Sequence, residues 1–372
     1  KLALLQLKER VEGKPLPKIE IVDMREGESC KKNGRKDLSD RLKEALLKRL
    51  NLNQQSMLFL NRRGYAPFVI CWECGYVFSC PNCSVSLIHH QRERNLKCHY
   101  CGYTIATPDN CPECGGIRIQ LLGWGTERLE EEVKGLFPKA YVERMDRDTT
   151  RGKWGHKKVL KRFISSDGGV LIGTQMIAKG HDMPRVTLVG VISADLSLNF
   201  PDFRSSERTF QLLTQVAGRA GRGDIPGEVI IQTFNPHHYS IRNSQQQAFL
   251  QFYEEEMKFR RELNYPPFSR LINFKMEGNS KSRTAASAEC IGKLAHSLCD
   301  KTSSYRKDIE VLGPSASPWE KIKGKYRYQM LVKGSPLTTL RSFASQLLQQ
   351  IPAALRGGGV KFYVDVDPVS LL

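Results

Sequence analysis

Apolar residues recur along this chain in two rhythms. Residues 37–52 set Leu38, Leu42, Leu46 and Leu47 three and four positions apart, which predicts a helix with one buried face. Residues 57–61 form a short apolar run that predicts a buried strand. Beyond residue 116 the two rhythms alternate. Strands are predicted at 117–122, 140–145, 169–173, 186–193 and 228–233, with helices at 126–137, 153–164 and 205–220. Apolar strands that lack polar alternation and are separated by helices predict an α/β unit with a parallel sheet covered on both faces.

Between the first strand and this series lies a cysteine-rich stretch with a predicted hairpin, 84–90 against 95–99. It reads as an insertion into the α/β unit. After Tyr265-Pro266-Pro267 the order becomes βαββαβ, from strands at 270–276, 309–312, 325–332 and 360–366 and helices at 285–299 and 337–350. That order predicts a small α+β unit. The expected organisation is a linker (1–20), a split α/β lobe (21–70 and 116–240), a cysteine-rich insertion (71–115) and a terminal unit (241–372).

Composition narrows the class. Apolar residues make up 40% of the 372, and the formal charge is +18, spread along the sequence rather than gathered in a tail. A basic folded surface of this strength points to a polyanion, with nucleic acid favoured over membrane. The longest apolar run, 186–194, is far short of a bilayer span. No signal-peptide pattern is seen at Lys1, so a cytoplasmic protein is expected.

Eight of the 11 cysteines fall between Cys71 and Cys114, and in a reducing compartment such crowding favours metal over disulfides. They form four CxxC pairs, enough for two tetrahedral Cys₄ zinc sites. Only five residues separate the first pair from the second, whereas 14 residues and a hairpin separate the second from the third. Reach therefore favours nesting: Cys80, Cys83, Cys98 and Cys101 on one zinc, with Cys71, Cys74, Cys111 and Cys114 on the other. Sequential pairing is the alternative. With all positions filled by thiolate the metals are structural, and His89, His90 and His99 are expected at the surface or facing DNA rather than as ligands.

Three further strings carry chemistry. In Gln215-Val216-Ala217-Gly218-Arg219-Ala220-Gly221-Arg222 the two arginines are three apart, so the predicted helix would put both guanidinium groups on one face, suited to phosphate. Gly173-Thr174-Gln175-Met176-Ile177-Ala178-Lys179-Gly180-His181-Asp182 follows a strand, where α/β sheets bind ligands. Phe59-Leu60-Asn61-Arg62-Arg63-Gly64-Tyr65-Ala66 precedes the cysteines.

These strings, in this order, resemble motifs IV, V and VI in the second RecA-like lobe of superfamily 2 helicases. With the eight cysteines, LLGWGTERLEEEV, MDRDTT and a terminal DVDP, nearly the whole chain resembles the carboxy-terminal portion of the PriA family of replication-restart helicases. The resemblance implies ATP-driven 3′-to-5′ unwinding at abandoned forks and primosome assembly in a bacterial, nucleoid-associated setting. It implies Arg219 and Arg222 at the ATP γ-phosphate, Gln215 coupling nucleotide state to lobe closure, and Gly180 and Asp182 at the nucleotide edge. It places Thr174 and Gln175 on DNA, and Arg62 and Arg63 either on DNA phosphate or in a structural ion pair. Its expected partners are branched and single-stranded DNA, single-strand DNA-binding protein and other primosome proteins.

No GxxxxGK[ST] phosphate loop and no DExH-type acidic motif occurs in the sequence. ATP and Mg²⁺ are therefore expected only in an intact protein that carries them elsewhere, and this chain alone is expected to lack ATPase activity. In the terminal unit, residues 319–329 interleave aromatic and cationic side chains. Strand alternation puts Lys325, Arg327 and Gln329 on one face and Tyr326 and Tyr328 on the other. The resemblance implies that this unit engages branched DNA and the acidic tail of single-strand-binding protein, which makes Arg327 a candidate DNA contact and Lys325 and Gln329 candidates for the tail. The tyrosines either stack on bases or enter the core. The rival reading of the chain is a non-enzymatic zinc-ribbon adaptor for nucleic acid.

Overall fold

A computed structural model describes residues 16–26, 37–61, 68–91, 93–122, 125–146, 149–150, 155–178, 183–352 and 359–371. The chain opens with β1 (Lys18–Asp23), α1 (Asp40–Asn51) and β2 (Gln55–Phe59). The cysteine-rich stretch holds β3 (Phe68–Cys71), β4 (Ile88–His90), β5 (Asn95–Lys97), β6 (Thr104–Ala106) and β7 (Ile119–Leu122). Then come α2 (Thr126–Leu136), β8 (Val142–Met145), α3 (Gly155–Ser165), β9 (Gly169–Gly173), α4 (Gln175–Ala178), β10 (Val186–Val191), α5 (Asp195–Leu198), α6 (Ser205–Ala217) and β11 (Glu228–Thr233). Two helices follow, α7 (Tyr239–Gln246) and α8 (Phe249–Glu262). The terminal unit comprises β12 (Arg270–Gly278), α9 (Lys281–Lys301), α10 (Ser303–Asp308), β13 (Ile309–Ile322), β14 (Lys325–Gly334), α11 (Leu337–Gln350) and β15 (Val360–Val366).

Six strands form the lobe's parallel sheet in the order β1-β11-β10-β2-β9-β8. Successive residues alternate between two cores, which explains why the strands read as continuous apolar runs. Met57, Phe59, Val189, Val191, Val229 and Ile231 face α3, α6 and α7. Leu58, Leu60, Val170, Ile172, Leu188 and Ile230 face α1 and α2. Helix α1 starts where the Ser39 hydroxyl accepts from the Leu42 amide at 3.2 Å.

Three boundaries differ from expectation. The linker reading of 1–20 ends too late, because Lys18–Glu20 already pair with Glu228–Ile230 in β1. The division at 240/241 cuts α7, whose Ile241 is fully buried in the lobe core. The strand expected at 309–312 runs on to Ile322, because a shift in pairing register after Leu312 absorbs Gly313 and Pro314 without ending the strand.

Strands β3 and β7 are antiparallel neighbours that carry the chain into and out of the insertion. Phe68 and Ile70 belong to the lobe core, whereas Val69 faces the zinc module, so one strand serves both. Within the module, β4, β5 and β6 form a small antiparallel sheet around the predicted hairpin. The terminal unit is an antiparallel sheet, β13-β14-β12-β15, with α9 and α11 on one face. Leu312 and Leu331, on its other face, enter the core of the zinc module. Among the described residues no helix is long and apolar enough to cross a membrane.

Candidate metal centre and phosphate-facing motifs

The eight cysteines gather as two sets, Cys71, Cys74, Cys111 and Cys114, and Cys80, Cys83, Cys98 and Cys101. Within each set all ligand atoms lie within 4.8 Å of one another. This is the nested arrangement. Cys71–Cys114 and Cys74–Cys111 sulfurs are 3.6 Å apart and Cys80–Cys101 sulfurs 3.5 Å. A tetrahedron with Zn–S bonds of about 2.3 Å has edges of about 3.8 Å, so the cages fit zinc. Burial pushes the Cys71 and Cys74 thiols up, and the Cys80 sulfur and burial push Cys98 up to about 12. A dication reverses that balance by binding thiolates.

Each CxxC pair folds into the same knuckle. The first cysteine donates its N–H to the carbonyl five residues on, and that cysteine's carbonyl accepts from the amide four residues on, at 2.8–3.0 Å throughout. The closing residue must turn left-handed. Gly75, Gly102 and Gly115 do so at φ +81°, +81° and +72°, while Ser84 does so at φ 51° with a side chain present.

The two cages dock differently. The outer one lies against the lobe: a Cβ on Gly75 would stand 2.5 Å from the Phe234 carbonyl oxygen, and Trp72 meets the Phe234 ring edge-on at 5.2 Å. The inner one is tied to the terminal unit. The His99 carbonyl accepts from Gln329 Nε2 at 2.9 Å and from Ser315 Oγ, and His99 Nδ1 lies 2.7 Å from the Ala316 carbonyl. Tyr265 donates to the Cys83 carbonyl and stacks on Phe203 at 4.7 Å, while the Tyr100 hydroxyl accepts from the Phe203 amide. Phe203 and Arg204 immediately precede α6. The tail closes the junction: Arg208 and Arg204 donate to the Val369 carbonyl at 2.8 and 3.5 Å, and Leu371 is fully buried in the module core.

Two expectations fail here. His99 is buried rather than at the surface, and burial lowers its pKa to about 4. Gln329 is 1% exposed and bridges two units, so it offers nothing to an external peptide. The face that alternation assigned to it is the face the zinc module covers. Arg327 is half-buried and paired with Glu277 at 3.2 Å, Lys325 is half-buried, and Tyr328 packs against the helix-side core.

The arginine string also departs from expectation. Helix α6 stops at Ala217, so Arg219 and Arg222 sit on a turn rather than on one helical face. The last bonds tighten to Arg219 N→Val216 O and Ala220 N→Ala217 O, and the Gly221 amide goes instead to the Val186 carbonyl at 3.0 Å. Gly221, at φ +67°, comes so close to Gly227 that a Cβ would lie 2.4 Å from its nitrogen, and one on Gly223 would lie 2.4 Å from the Pro184 carbonyl oxygen. The turn is thereby pinned at the amino end of β10, directly after the stretch 173–182. Arg222 Nε donates to the Gly218 carbonyl at 3.1 Å, placing a cation at the helix carboxyl end. Arg219 is buried, and Gln215 is exposed on α6.

Thr174 and Gln175 lie at the opposite, carboxyl edge of the sheet, at the end of β9. Gln175 Nε2 donates to Asn61 Oδ1 at 3.1 Å, bringing the end of the first string against the second. Arg62, Arg63, Gly180 and Asp182 lie outside the described residues. Asp195, which no sequence motif marks, is fully buried and accepts from Thr233 Oγ1, the Phe234 amide and Asn235 Nδ2, locking the loop after β10 to β11.

Residues 124–224 match the family described as Helicase conserved C-terminal domain, residues 80–105 the PriA DNA helicase Cys-rich region (CRR) domain, and residues 261–369 the Primosomal protein N C-terminal domain. Over 369 residues the chain is 44% identical to replication restart protein PriA of Bacillus subtilis (strain 168), covering 99% of this chain and 45% of that protein. The corresponding protein of Synechocystis sp. is 40% identical over 371 residues, 99% of this chain and 43% of its own. That of Treponema pallidum is 39% identical, with 99% and 53% covered. The chain spans about half the length of the curated relatives it matches.

Proposed function

This chain belongs to the PriA family of replication restart proteins, and on that premise we propose that it is the carboxy-terminal part of an ATP-dependent 3′-to-5′ DNA helicase. In this reading the intact protein recognises stalled or abandoned forks in the cytoplasm, at the nucleoid, and starts primosome assembly. The observation that carries the proposal is one of placement. A two-cage zinc module interrupts a parallel-sheet lobe, and the same lobe pins an arginine turn at the amino end of β10.

The resemblance of the three strings to helicase motifs supports the roles, and the two edges of the sheet are consistent with them. At the amino end of β10, Arg219 and Arg222 would meet the γ-phosphate, with Gln215 coupling the turn to lobe closure; Gly180 and Asp182, outside the described residues, are assigned to the nucleotide by the resemblance alone. At the carboxyl edge Thr174 and Gln175 would track the DNA backbone; Arg62 and Arg63, outside the described residues, are assigned to DNA by the resemblance alone. Arg327 adds a DNA contact, and Lys325 is the remaining candidate for the acidic tail of single-strand DNA-binding protein. The phosphate loop that cradles ATP and the DExH-type motif that holds Mg²⁺ do not occur in this sequence, so those two parts of the site fall to another part of the intact protein. Nothing observed favours the adaptor reading, which leaves the pinned arginine turn without a task.

The test compares this chain with the intact protein. The chain is expected to carry two zinc ions, bind forked DNA and hydrolyse no ATP. In the intact protein, Arg222→Ala is expected to lower DNA-stimulated ATPase turnover about 10³-fold or more while nucleotide binding persists. An unchanged turnover in that variant, or ATPase activity from the chain alone, would refute the assignment.

A further inference from the structure

We propose that Arg208, with Arg204, is a positioning residue for the arginine turn, clamping the amino end of α6 to the carboxy-terminal tail so that ATP turnover depends on a contact remote from the nucleotide. The inference rests on the reading above that Arg219 and Arg222 serve the γ-phosphate, and it concerns what holds the helix that carries them.

Helix α6 is shared between cores. Phe203, just before it, packs against the core of the zinc module. Phe210, in its second turn, stacks on Phe252 of α8 at 4.3 Å. Leu212, Leu213, Val216 and Ala217 belong to the core of the lobe, as does Ala220 within the arginine turn. At about 1.5 Å per residue, roughly 15 Å of helix separates Arg208 from that turn. A hydrogen-bonded rod of this length carries displacement from one end to the other. The glycine contacts with β11 and Pro184 hold the turn on its far side, and the clamp holds the helix that leads into it.

The amino end is gripped by charge. Asp202, whose side chain is fully buried, accepts from the Arg204 amide at 3.0 Å and from Arg208 Nη1 at 2.9 Å. Arg208 Nη2 donates to the Val369 carbonyl at 2.8 Å, and Arg204 Nη1 reaches the same oxygen at 3.5 Å. Two guanidinium groups on one carbonyl concentrate charge-assisted bonds, the stronger kind. Between them in sequence, Glu207 holds Arg260 of α8 at 2.6 Å.

The tail is fixed on both sides of that carbonyl. The Asp367 amide donates to the Leu271 carbonyl at 2.8 Å, and Leu371 is fully buried in the module core. Val369 itself is 84% exposed, so its backbone rather than its side chain is what the structure uses. The zinc module and the terminal unit have other fastenings, through Tyr100, Tyr265, His99 and Gln329. The arginine clamp differs from them in gripping α6 with side chains of that helix and its cap.

The experiment uses the intact protein, unmodified and as R208K, R204Q/R208K and L371A, with R222A in parallel. Lysine at position 208 keeps a cation beside Asp202 but cannot span both acceptors as the planar fork does. Turnover and KM for ATP are measured at saturating forked DNA, together with DNA affinity and zinc content. R204Q/R208K is expected to lower kcat about 10- to 100-fold, the scale set by a misplacement of about 1 Å, with KM for ATP, DNA affinity and zinc content unchanged. R208K and L371A, which each loosen one side of the clamp, should fall between. A joint that only fastens the module would instead lose zinc or DNA affinity at full kcat, and that result overturns the inference. Should the double variant lose zinc, R208K and L371A decide: unchanged kcat at full zinc content in both overturns it. If R222A abolishes turnover and the clamp variants leave it intact, the helicase reading stands without this inference, whereas unchanged turnover in R222A removes the premise of both.

Discussion

Gly75 and Gly115 close the two knuckles of the outer zinc cage with nearly the same backbone, φ +81° and +72°. Alanine at either position pays the left-handed penalty of about 1–2 kcal/mol. Their surroundings differ. A Cβ at Gly115 meets nothing within 4 Å, whereas one at Gly75 would lie 2.5 Å from the Phe234 carbonyl oxygen and 3.3 Å from its carbon. Phe234 backbone cannot yield freely, because its amide donates to the buried Asp195 at 3.0 Å. Overpacking of this kind costs about 1–3 kcal/mol. Gly115→Ala is thus expected to destabilise the module by about 1–2 kcal/mol and Gly75→Ala by about 2–5 kcal/mol, the difference measuring how firmly the outer cage seats on the lobe. Urea unfolding gives the energies. Trp72 emission, reporting on its edge-on contact with Phe234, should shift at low urea in Gly75→Ala alone. Equal destabilisation by the two substitutions, with Trp72 unmoved, would refute the claim that the Gly75 knuckle is a docking contact.

Other consequences can be measured separately. Ser84 makes the same left-handed turn with a side chain, so Ser84→Gly is expected to stabilise the inner knuckle by roughly 0.5 kcal/mol after the added chain entropy; a loss in urea midpoint would count against it. Cys71→Ser should remove one zinc and expose Cys111 and Cys114 to alkylation while Cys80 and Cys83 stay protected. Mass mapping that found Cys80 and Cys83 modified instead would exclude the nested cages. Burial lowers the His238 pKa to about 4 from 6.5. The native state therefore holds this ring neutral, and its contribution is complete above pH 6.5 and lost as pH falls towards 4, by up to about 3 kcal/mol. His238→Asn, which can still cap α7, should flatten that part of the stability profile; an identical acid dependence in both proteins would rule His238 out.

The nested cysteines were legible because chain reach is a local property: five residues cannot do what 14 residues and a hairpin can. The parallel sheet was legible because two-sided burial leaves its mark on every strand. What escaped depends on a neighbour distant in sequence. Strand β1 alternates modestly and follows prolines, and only its pairing with β11 makes it a strand. Helix α6 has a helical pattern through Ala220, yet the close approach of Gly221 to Gly227 stops it at Ala217. Gln329 and His99 both read as polar and outward, and each is buried by the other's unit. Alternation assigned Gln329 the correct face of β14, but no local pattern could say what covers that face.

The burial of Leu371 also orders events during synthesis. The outer cage needs Phe234, made about 120 residues after Cys114, whereas the inner module core needs Tyr265, Leu312, Leu331 and finally Leu371, the last made about 270 residues after Cys98. At about 5–20 residues per second the inner core waits roughly 14–55 s for its last side chain. Once Phe234 has been made, and until Leu371 follows, its sulfurs are the more open pair of knuckles, free to exchange metal or to meet an oxidant while the outer cage is already seated. A chain ended between Phe234 and Tyr265 should accordingly keep its outer zinc against a chelator and surrender the inner one.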